Sequence, residues 1–466
     1  MVLDVEFPPN LKGERQYILD VVFKHFLGLD IRSKPTLSRY LKISAYEKNL
    51  YVSDIFLSIS IKKWLSSDSL PKQPLQQWNL KSTEIHPCII NDHIPVIFGE
   101  FLENSNFLMV TDQEIYLGLD VFGSAFFMLT RYEEVVKSFR DPLDRFPVAS
   151  SLAYQENFLD RPIVNEYIEI LWACMLLLWP KLSRSRHHFQ TYVSHDVDEP
   201  FRYAFSGFKR LFKRCVGDVV RRKSLLKATS SIKSWAEVKQ GNILADPCNT
   251  FDFIMQVSEK HGLKSAFYFI ADRTCHPIDG DYELSHPLIR SLLSTIYERG
   301  HEIGLHSSFN TYQDKIQTQK EIDILKSVCA EEGIYQQIWG GRQHCLRWRT
   351  PTTWQNLYDA GLNYDTTLSF AEQIGFRCGT CFEFPVFNLL TSQRLGLYER
   401  PLLVMEATVL ERNYMALDLS NGEAFAAMRT MKSICRLFSG NFTLLWHNSR
   451  LTTDEEREFY QQILLA

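Results

Sequence analysis

The chain predicts an α/β fold, and three observations carry that prediction. A short apolar run stops on two carboxylates, helix and strand patterns alternate from residue 250 onward, and both periodicities mix in the stretch before residue 188. The first is Thr191-Tyr-Val-Ser-His-Asp-Val-Asp198, a buried strand that delivers Asp196 and Asp198, with His195 beside them, to one end of a sheet. On an extended strand, side chains two apart share a face, so the pair can hold a cation or drive its own pKa values apart. In the alternating part, Thr250–His261, Pro287–Arg299, Thr318–Glu332, Trp354–Ala360 and Glu423–Ser439 read as helices, each stopped by a glycine. Ala266–Ile270, Glu302–His306 and Phe442–Trp446 read as strands between them. This order implies a parallel sheet, open or closed into a barrel, with Asp196, Asp198, His306 and His447 at its C-terminal strand ends.

Residues 1–188 mix the two patterns. Glu14–Leu29, Gly123–Lys137 and Val164–Leu178 have helical spacing, whereas Asn49–Ile61, Ile94–Phe98 and Phe107–Val110 read as strands. A turn-rich segment, Asp141-Pro-Leu-Asp-Arg-Phe-Pro147, joins two of the helices. With no acid/base or metal constellation at an interpretable spacing, this half reads as an α/β accessory domain. The basic connection Lys181–His188 sets the boundary with a second domain at 189–466. Within the latter, about 202–246 reads as a helical insertion. Its stretch 208–239 carries ten Lys or Arg against Asp218 and Glu237, with apolar residues at three-and-four spacing. A solvated insertion packed on the domain is the expectation, and contact with anionic lipid head groups or a polyanionic substrate is the alternative.

The global balance narrows the class. A length of 466 residues suits two or three domains, and a formal net charge of −4 argues against a nucleic-acid-binding chain. Ten scattered cysteines and an N-terminus without a basic start or apolar core predict reduced thiols and a cytoplasmic protein. The most apolar segment, Ile168–Pro180, is too short to span a bilayer and carries Glu169, so it reads as a buried helix.

Histidines and paired carboxylates at strand ends fit a metal-assisted hydrolase: a divalent cation polarises a carbonyl and acidifies water while a separate carboxylate takes the proton. From about Thr191 onward the chain resembles the polysaccharide deacetylase family, the NodB-homology enzymes of carbohydrate esterase family four. The likeness rests on four segments in the family's order: Ser194-His-Asp-Val-Asp198, Gly300-His-Glu-Ile-Gly-Leu-His306, Arg349-Thr-Pro351 and Leu444-Leu-Trp-His447. It implies a distorted (β/α) barrel that removes an N-acetyl, or less often O-acetyl, group from an amino sugar or polysaccharide, with a divalent metal ion, zinc first among them. It further implies Asp196 as general base, Asp198 and His306 as metal ligands, Arg349 as the group holding Asp196 ionised, and His447 as the acid for the leaving amine. Asp365, in Tyr364-Asp-Thr-Thr, is a candidate for orienting His447 or the arginine.

The chain departs from the family where a second ligand histidine is usual: that position is Asn310, in His306-Ser-Ser-Phe-Asn310. An amide oxygen is a poorer zinc ligand than imidazole, so a harder metal or a third ligand from His344 or His195 is the alternative. The same departure opens two other readings, a catalytically silent carbohydrate-binding or scaffold protein, and a metal-independent cyclic-amide hydrolase. Cys378-Gly-Thr-Cys381 reads as a tight turn lining the site, and Trp339, Trp348, Trp354 and Tyr358 as sugar-stacking or core aromatics.

Overall fold

The computed structural model describes residues 2–102, 106–185, 187–220, 225–420 and 422–466. Two sheets organise it. The first has strands Leu3–Phe7 (β1), Ile31–Pro35 (β2), Tyr40–Ala45 (β3), Lys48–Ser53 (β4), Leu108–Val110 (β5) and Glu114–Leu117 (β6), in spatial order β2-β1-β3-β4-β6-β5. Helix Ile163–Leu178 (α2) packs on β4 and β6, and Val121–Leu129 (α1) packs against α2. The helical pattern at 123–137 is broken, because Arg131 adopts a left-handed backbone (φ 52°) between α1 and a short helix at Tyr132–Val136. Asn49–Ile61 likewise holds a strand only to Ser53, and a 3₁₀ turn at Phe56–Ser58 follows.

The second sheet has nine strands: Gln190–Val197 (β7), Ser265–Phe269 (β8), Glu302–Ser307 (β9), Gly340–Gln343 (β10), Tyr364–Asp365 (β11), Phe384–Asn388 (β12), Gln393–Glu399 (β13), Val404–Met405 (β14) and Asn441–Leu445 (β15). Their order is β12-β13-β11-β10-β9-β8-β7-β15-β14, parallel throughout except for the β12/β13 pair. The outermost strands β12 and β14 are not paired with each other, so the expected barrel is not closed by hydrogen bonds among the described residues.

The sheet nevertheless curls strongly. Flat, β7 and β10 would lie about 14 Å apart, three strand spacings. Yet Arg342 on β10 reaches Asp196 on β7 at 2.7 Å, and the hydroxyls of Tyr268 on β8 and Tyr364 on β11, also three spacings apart, meet at 2.9 Å. Glycines make room for this filled interior: a Cβ on Gly304 would lie 2.5 Å from the Tyr268 ring, and one on Gly340 would lie 1.9 Å from the Tyr364 ring. Between β7 and β8 the chain forms a helical hairpin of Phe208–Val220 (α3) and Leu225–Lys239 (α4). Residues 221–224, and the side chains at 218, 219 and 227 of the basic stretch, lie outside what is described.

One hydrophobic core runs through both halves, from Leu3 and Phe23 to Leu444 and Leu464. Polar anchors cross it as well. Tyr17 Oη donates to the Pro385 carbonyl at 2.8 Å, and buried Glu134 receives Arg131 at 2.8 Å and both Nε and Nη2 of Arg377, at 3.0 and 2.7 Å. The Arg131 guanidinium also donates to the Arg377 carbonyl, which accounts for the backbone turn that ends the α1 segment. The Cys378–Cys381 turn belongs to this seam and does not line the site. Gly379 carbonyl accepts from Val164 N–H at 2.8 Å, Asn165 Oδ1 accepts from Cys381 N–H at 3.2 Å, and both thiols are buried. All ten cysteines are free, and no helix is long and apolar enough to cross a membrane among the described residues.

Burial alone would raise the Glu134 pKa, but Arg377 and Arg131 outweigh it and hold the carboxyl below its ordinary value. Its stabilisation is complete above the unfolded carboxyl pKa of about 4.3 and is lost as pH falls through the lower folded value. Glu134→Gln leaves two arginines buried with one partner fewer, so a loss of about 3 kcal/mol is expected. Denaturant unfolding at neutral pH and near pH 3 checks this: the gap between wild type and variant closes in acid, and an equal gap at both pH values would contradict it.

Candidate metal centre and its flanking residues

The C-terminal ends of β7, β9 and β10 bring Asp198, His306 and His344 together, one ligand atom from each lying within 4.8 Å of the others. Asp198 Oδ1 is 3.2 Å from His306 Nε2 and 3.7 Å from His344 Nε2. Each imidazole is turned by its other nitrogen. His306 Nδ1 donates to the Arg342 carbonyl at 2.9 Å, and His344 Nδ1 donates to Asp279 Oδ1 at 3.0 Å. With Nδ1 of each ring spent on these partners, both Nε2 atoms face the carboxylate. Asp198 Oδ1 is buried and has no hydrogen-bond partner. One carboxylate oxygen and two imidazole nitrogens converge here, and a carboxylate, two imidazoles and a hydrogen-bonded outer carboxylate suit a divalent ion. Burial opposes charge on His344, yet Asp198 and Asp279 outweigh it and raise its pKa well above the ordinary value. The pocket favours positive charge.

Asp279 is itself fixed. It accepts from the backbone N–H groups of Thr274, Cys275 and Phe309 at 2.8, 2.6 and 2.7 Å, and these with His344 hold its pKa low against burial. The following Gly280 is obligatory, with φ +70° and the Asp198 carbonyl oxygen 2.5 Å from where a Cβ would stand.

Asp196, on the same face, is buried. Its Oδ1 accepts from Arg342 at 2.7 Å, leaving Oδ2 toward the centre, 3.7 Å from His306 Nε2. Burial pushes its pKa up, but Arg342, His306 and His447 prevail and keep the carboxyl below its ordinary value. Arg342 is completed by the Thr366 carbonyl and Ser194 Oγ, both at 2.9 Å. Opposite it, His447 Nε2 is 3.7 Å from Asp198 Oδ2, while Nδ1 meets Glu406 Oε1 at 2.5 Å. Burial lowers the His447 pKa, yet Glu406 with Asp198 and Asp196 brings it up to about 9.

Of the residues expected from sequence, Asp196, Asp198, His306, His344 and His447 come together, and four others do not. Arg349 pairs with Asp144 at 2.9 Å on the far side of its loop, and Arg342 holds Asp196 in its stead. Asn310 stands outside the ligand group, because its amide donates to the Thr274 carbonyl at 3.1 Å and its Oδ1 accepts from Arg347 at 3.0 Å. Asp365 does not reach His447. It accepts from the Thr367 hydroxyl at 2.5 Å and lies opposite Glu399 on β13, and burial raises its pKa to about 6. His195 points to the other face of β7, against the Trp446 carbonyl at 2.7 Å, where burial drives its pKa down to about 3 and keeps it neutral. Of the aromatics, Trp348 and Trp354 are fully buried and packed edge to face, which makes them core.

Arg342, Asp279 and Glu406 escape the sequence reading. Gly340-Gly-Arg-Gln343 has no apolar run to mark a strand, and Glu406 follows a strand of two residues. Asp279-Gly280 is a legible turn signal, but nothing in it points 65 residues onward to His344.

The loop that carries His344 is braced from the N-terminal half. Asp144 accepts from Arg349 and from the Tyr312 hydroxyl, and Arg347 donates to the Leu143 carbonyl at 2.8 Å. The Arg347 guanidinium lies over Phe309 and Tyr312, 4.0 and 4.1 Å from the ring centroids.

Residues 5–180 match a family described as one of unknown function (DUF7033). No curated protein matches the chain. Solved structures similar to it include a candidate polysaccharide deacetylase from Mycobacterium smegmatis, at 12% identity and TM-score 0.38, covering 60% of this chain and 84% of that one. Another is a candidate polysaccharide deacetylase from Pseudomonas aeruginosa PAO1, at 10% identity and TM-score 0.37, covering 68% and 90%. A third is PuuE allantoinase, at 8% identity and TM-score 0.34, covering 60% and 84%. These identities and TM-scores are too low to carry a residue's role, so the chemistry of the site rests on its own geometry.

Isothermal titration with zinc is expected to show one site per chain. Asp279→Asn should weaken it on the order of tenfold to a hundredfold by freeing His344, and Asn310→Ala should leave it unchanged. A loss in Asn310→Ala with none in Asp279→Asn would contradict the arrangement.

Proposed function

We propose that this chain is a metal-dependent hydrolase that removes an N-acetyl, or less often O-acetyl, group from a sugar. The observation that carries the reading is the convergence of Asp198, His306 and His344, with both histidines turned by their Nδ1 atoms so that Nε2 faces the carboxylate. A divalent cation held there, zinc by its donor set, would supply Lewis acidity toward an amide carbonyl and toward water.

The chain's own groups would divide the proton work. Asp196 is ionised, and with Oδ1 taken by Arg342 its Oδ2 is the atom free to accept a proton from the attacking water. His447 has Nδ1 occupied by Glu406, so Nε2 is the atom that carries a proton to the leaving amine. Asp196 Oδ2 lies 3.7 Å from His306 Nε2 and His447 Nε2 lies 3.7 Å from Asp198 Oδ2, so base and acid both stand beside the candidate ligands, where a tetrahedral intermediate would form. His344 supplies the third donor that Asn310 does not, which supports an enzyme over a silent scaffold and a metal-dependent route over a metal-free one.

A cavity of about 530 Å³ opens at Asp198, lined in part by Phe201, Tyr203, Phe205 and Tyr282. Its size is that of a small-ligand pocket, and Arg202, Arg210, Lys213 and Arg214 also line it. The amino-sugar substrate and a place in cell-surface polysaccharide metabolism come from the resemblance of the four ordered segments.

Acetate release from N-acetylglucosamine oligomers tests the reading. Activity should vanish with a chelator and return with zinc, and Asp196→Asn and His447→Ala should each lower kcat by roughly 10²- to 10⁴-fold. Acetate release that survives Asp196→Asn or complete metal removal would overturn it.

A further inference from the structure

The α3–α4 hairpin is unlike the rest of the surface. Its inner side is an ordinary small core, with Leu211 and Val238 packed on Tyr203, and Cys215 and Trp235 against them. Its outer side is a second apolar stripe, largely exposed, with only Phe208 edge-on to Trp235 among the described aromatic contacts. Phe208, Phe212, Val216 and Val220 recur every four residues along α3 and are 66%, 63%, 44% and 67% exposed. Leu225, Leu226 and Ile232 continue this exposure on α4, Leu226 at 83%. Sparse exposed apolar residues need no explanation, but a continuous row on one helix does.

The charges around the row decide what covers it. Lys209 lies beside the stripe on α3 and Lys213 lies between the stripe and the cavity wall, which it also lines; neither has an ion pair among the described residues. Arg210, on the cavity side, is tied to Asp281. The core of a protein–protein interface is depleted in lysine. A bilayer surface accepts the combination, because lysine stems lie along the apolar phase while their ammonium groups reach acidic head groups. The stretch 208–239 holds ten Lys or Arg against two acidic residues in a chain whose net charge is −4, so the attraction is local to this hairpin.

We infer that the α3–α4 hairpin seats the protein on an anionic membrane surface, with Phe208, Phe212, Val216 and Val220 entering the head-group region and the flanking lysines pairing with acidic lipid. The adjoining side of α3 contributes Leu211, Lys213, Arg214 and Gly217 to the wall of the cavity that opens at Asp198, so the seated hairpin places the mouth of that cavity close to the bilayer. The inference stands on the hairpin alone and is independent of the proposed chemistry.

Sedimentation of the full chain with phosphatidylglycerol vesicles and with phosphatidylcholine vesicles tests it, alongside the mass in solution by analytical ultracentrifugation. The expected result is binding to the anionic vesicles, released by high salt. It should fall on the order of tenfold or more in Phe212→Ser/Val216→Ser and weaken in Lys209→Glu, with an unchanged circular-dichroism spectrum and thermal unfolding as a check on folding. No binding to anionic vesicles, or equal binding to neutral ones, would overturn the inference. So would a wild-type dimer that Phe212→Ser/Val216→Ser dissolves, since the stripe would then cover a second copy of the chain.

Discussion

The ion pair between Arg342 and Asp196 is the constraint on which the C-terminal half turns. It joins strands that a flat sheet would keep about 14 Å apart, so it exists only because the sheet curls, and the curl in turn sets β7, β9 and β10 around one point. Taking both charges out of water costs several kcal/mol per ion. The structure offsets this with the remaining donors of Arg342, which meet Thr366 and Ser194, and with the face of Tyr268 under the guanidinium, 5.1 Å away. Removing either partner would leave a buried charge beside the site. The pair fixes one oxygen of Asp196 and leaves the other for chemistry.

The two halves of the molecule are coupled to that point by packing. The core is continuous across them, and the loop at Asp141–Pro147, turn-rich and charged in the sequence, grips the segment that follows β10 through Asp144 and Leu143. That segment carries His344. The N-terminal half thereby braces the loop that carries one of three candidate ligands, which relates its sheet to the site by contact. The buried Glu134 cluster does the same at the opposite end of the seam, anchoring the chain around Arg377.

Much of this was legible in the sequence where local signals are strong. Glycine stops and apolar runs locate β8, β9 and the helices between them within a few residues, and the carboxylates and histidines at strand ends point to a metal centre. What was not legible depends on contacts across the curl. β10 has no apolar run because two of its residues are glycines, one yielding its space to the Tyr364 ring, so Arg342 was hidden and Arg349 stood in for it. Asn310 occupies the expected ligand position in the chain but is drawn away by Thr274 and Arg347, residues 36 and 37 positions distant. His344 was visible as a candidate, yet its selection depends on Asp279, whose role follows from a turn folded against the Asp198 carbonyl. Periodicity reports burial and spacing, whereas the identity of a hydrogen-bond partner is set by topology.

Asp198, His306 and His344 are proposed to hold one divalent cation, with Asn310 outside the shell. Anomalous diffraction at the zinc edge, from crystals grown with zinc, tests it most directly. The expected result is one strong peak about 2.0–2.2 Å from a carboxylate oxygen of Asp198 and from Nε2 of both His306 and His344. A peak bound by Asn310, or the absence of any peak among these three side chains, would contradict it.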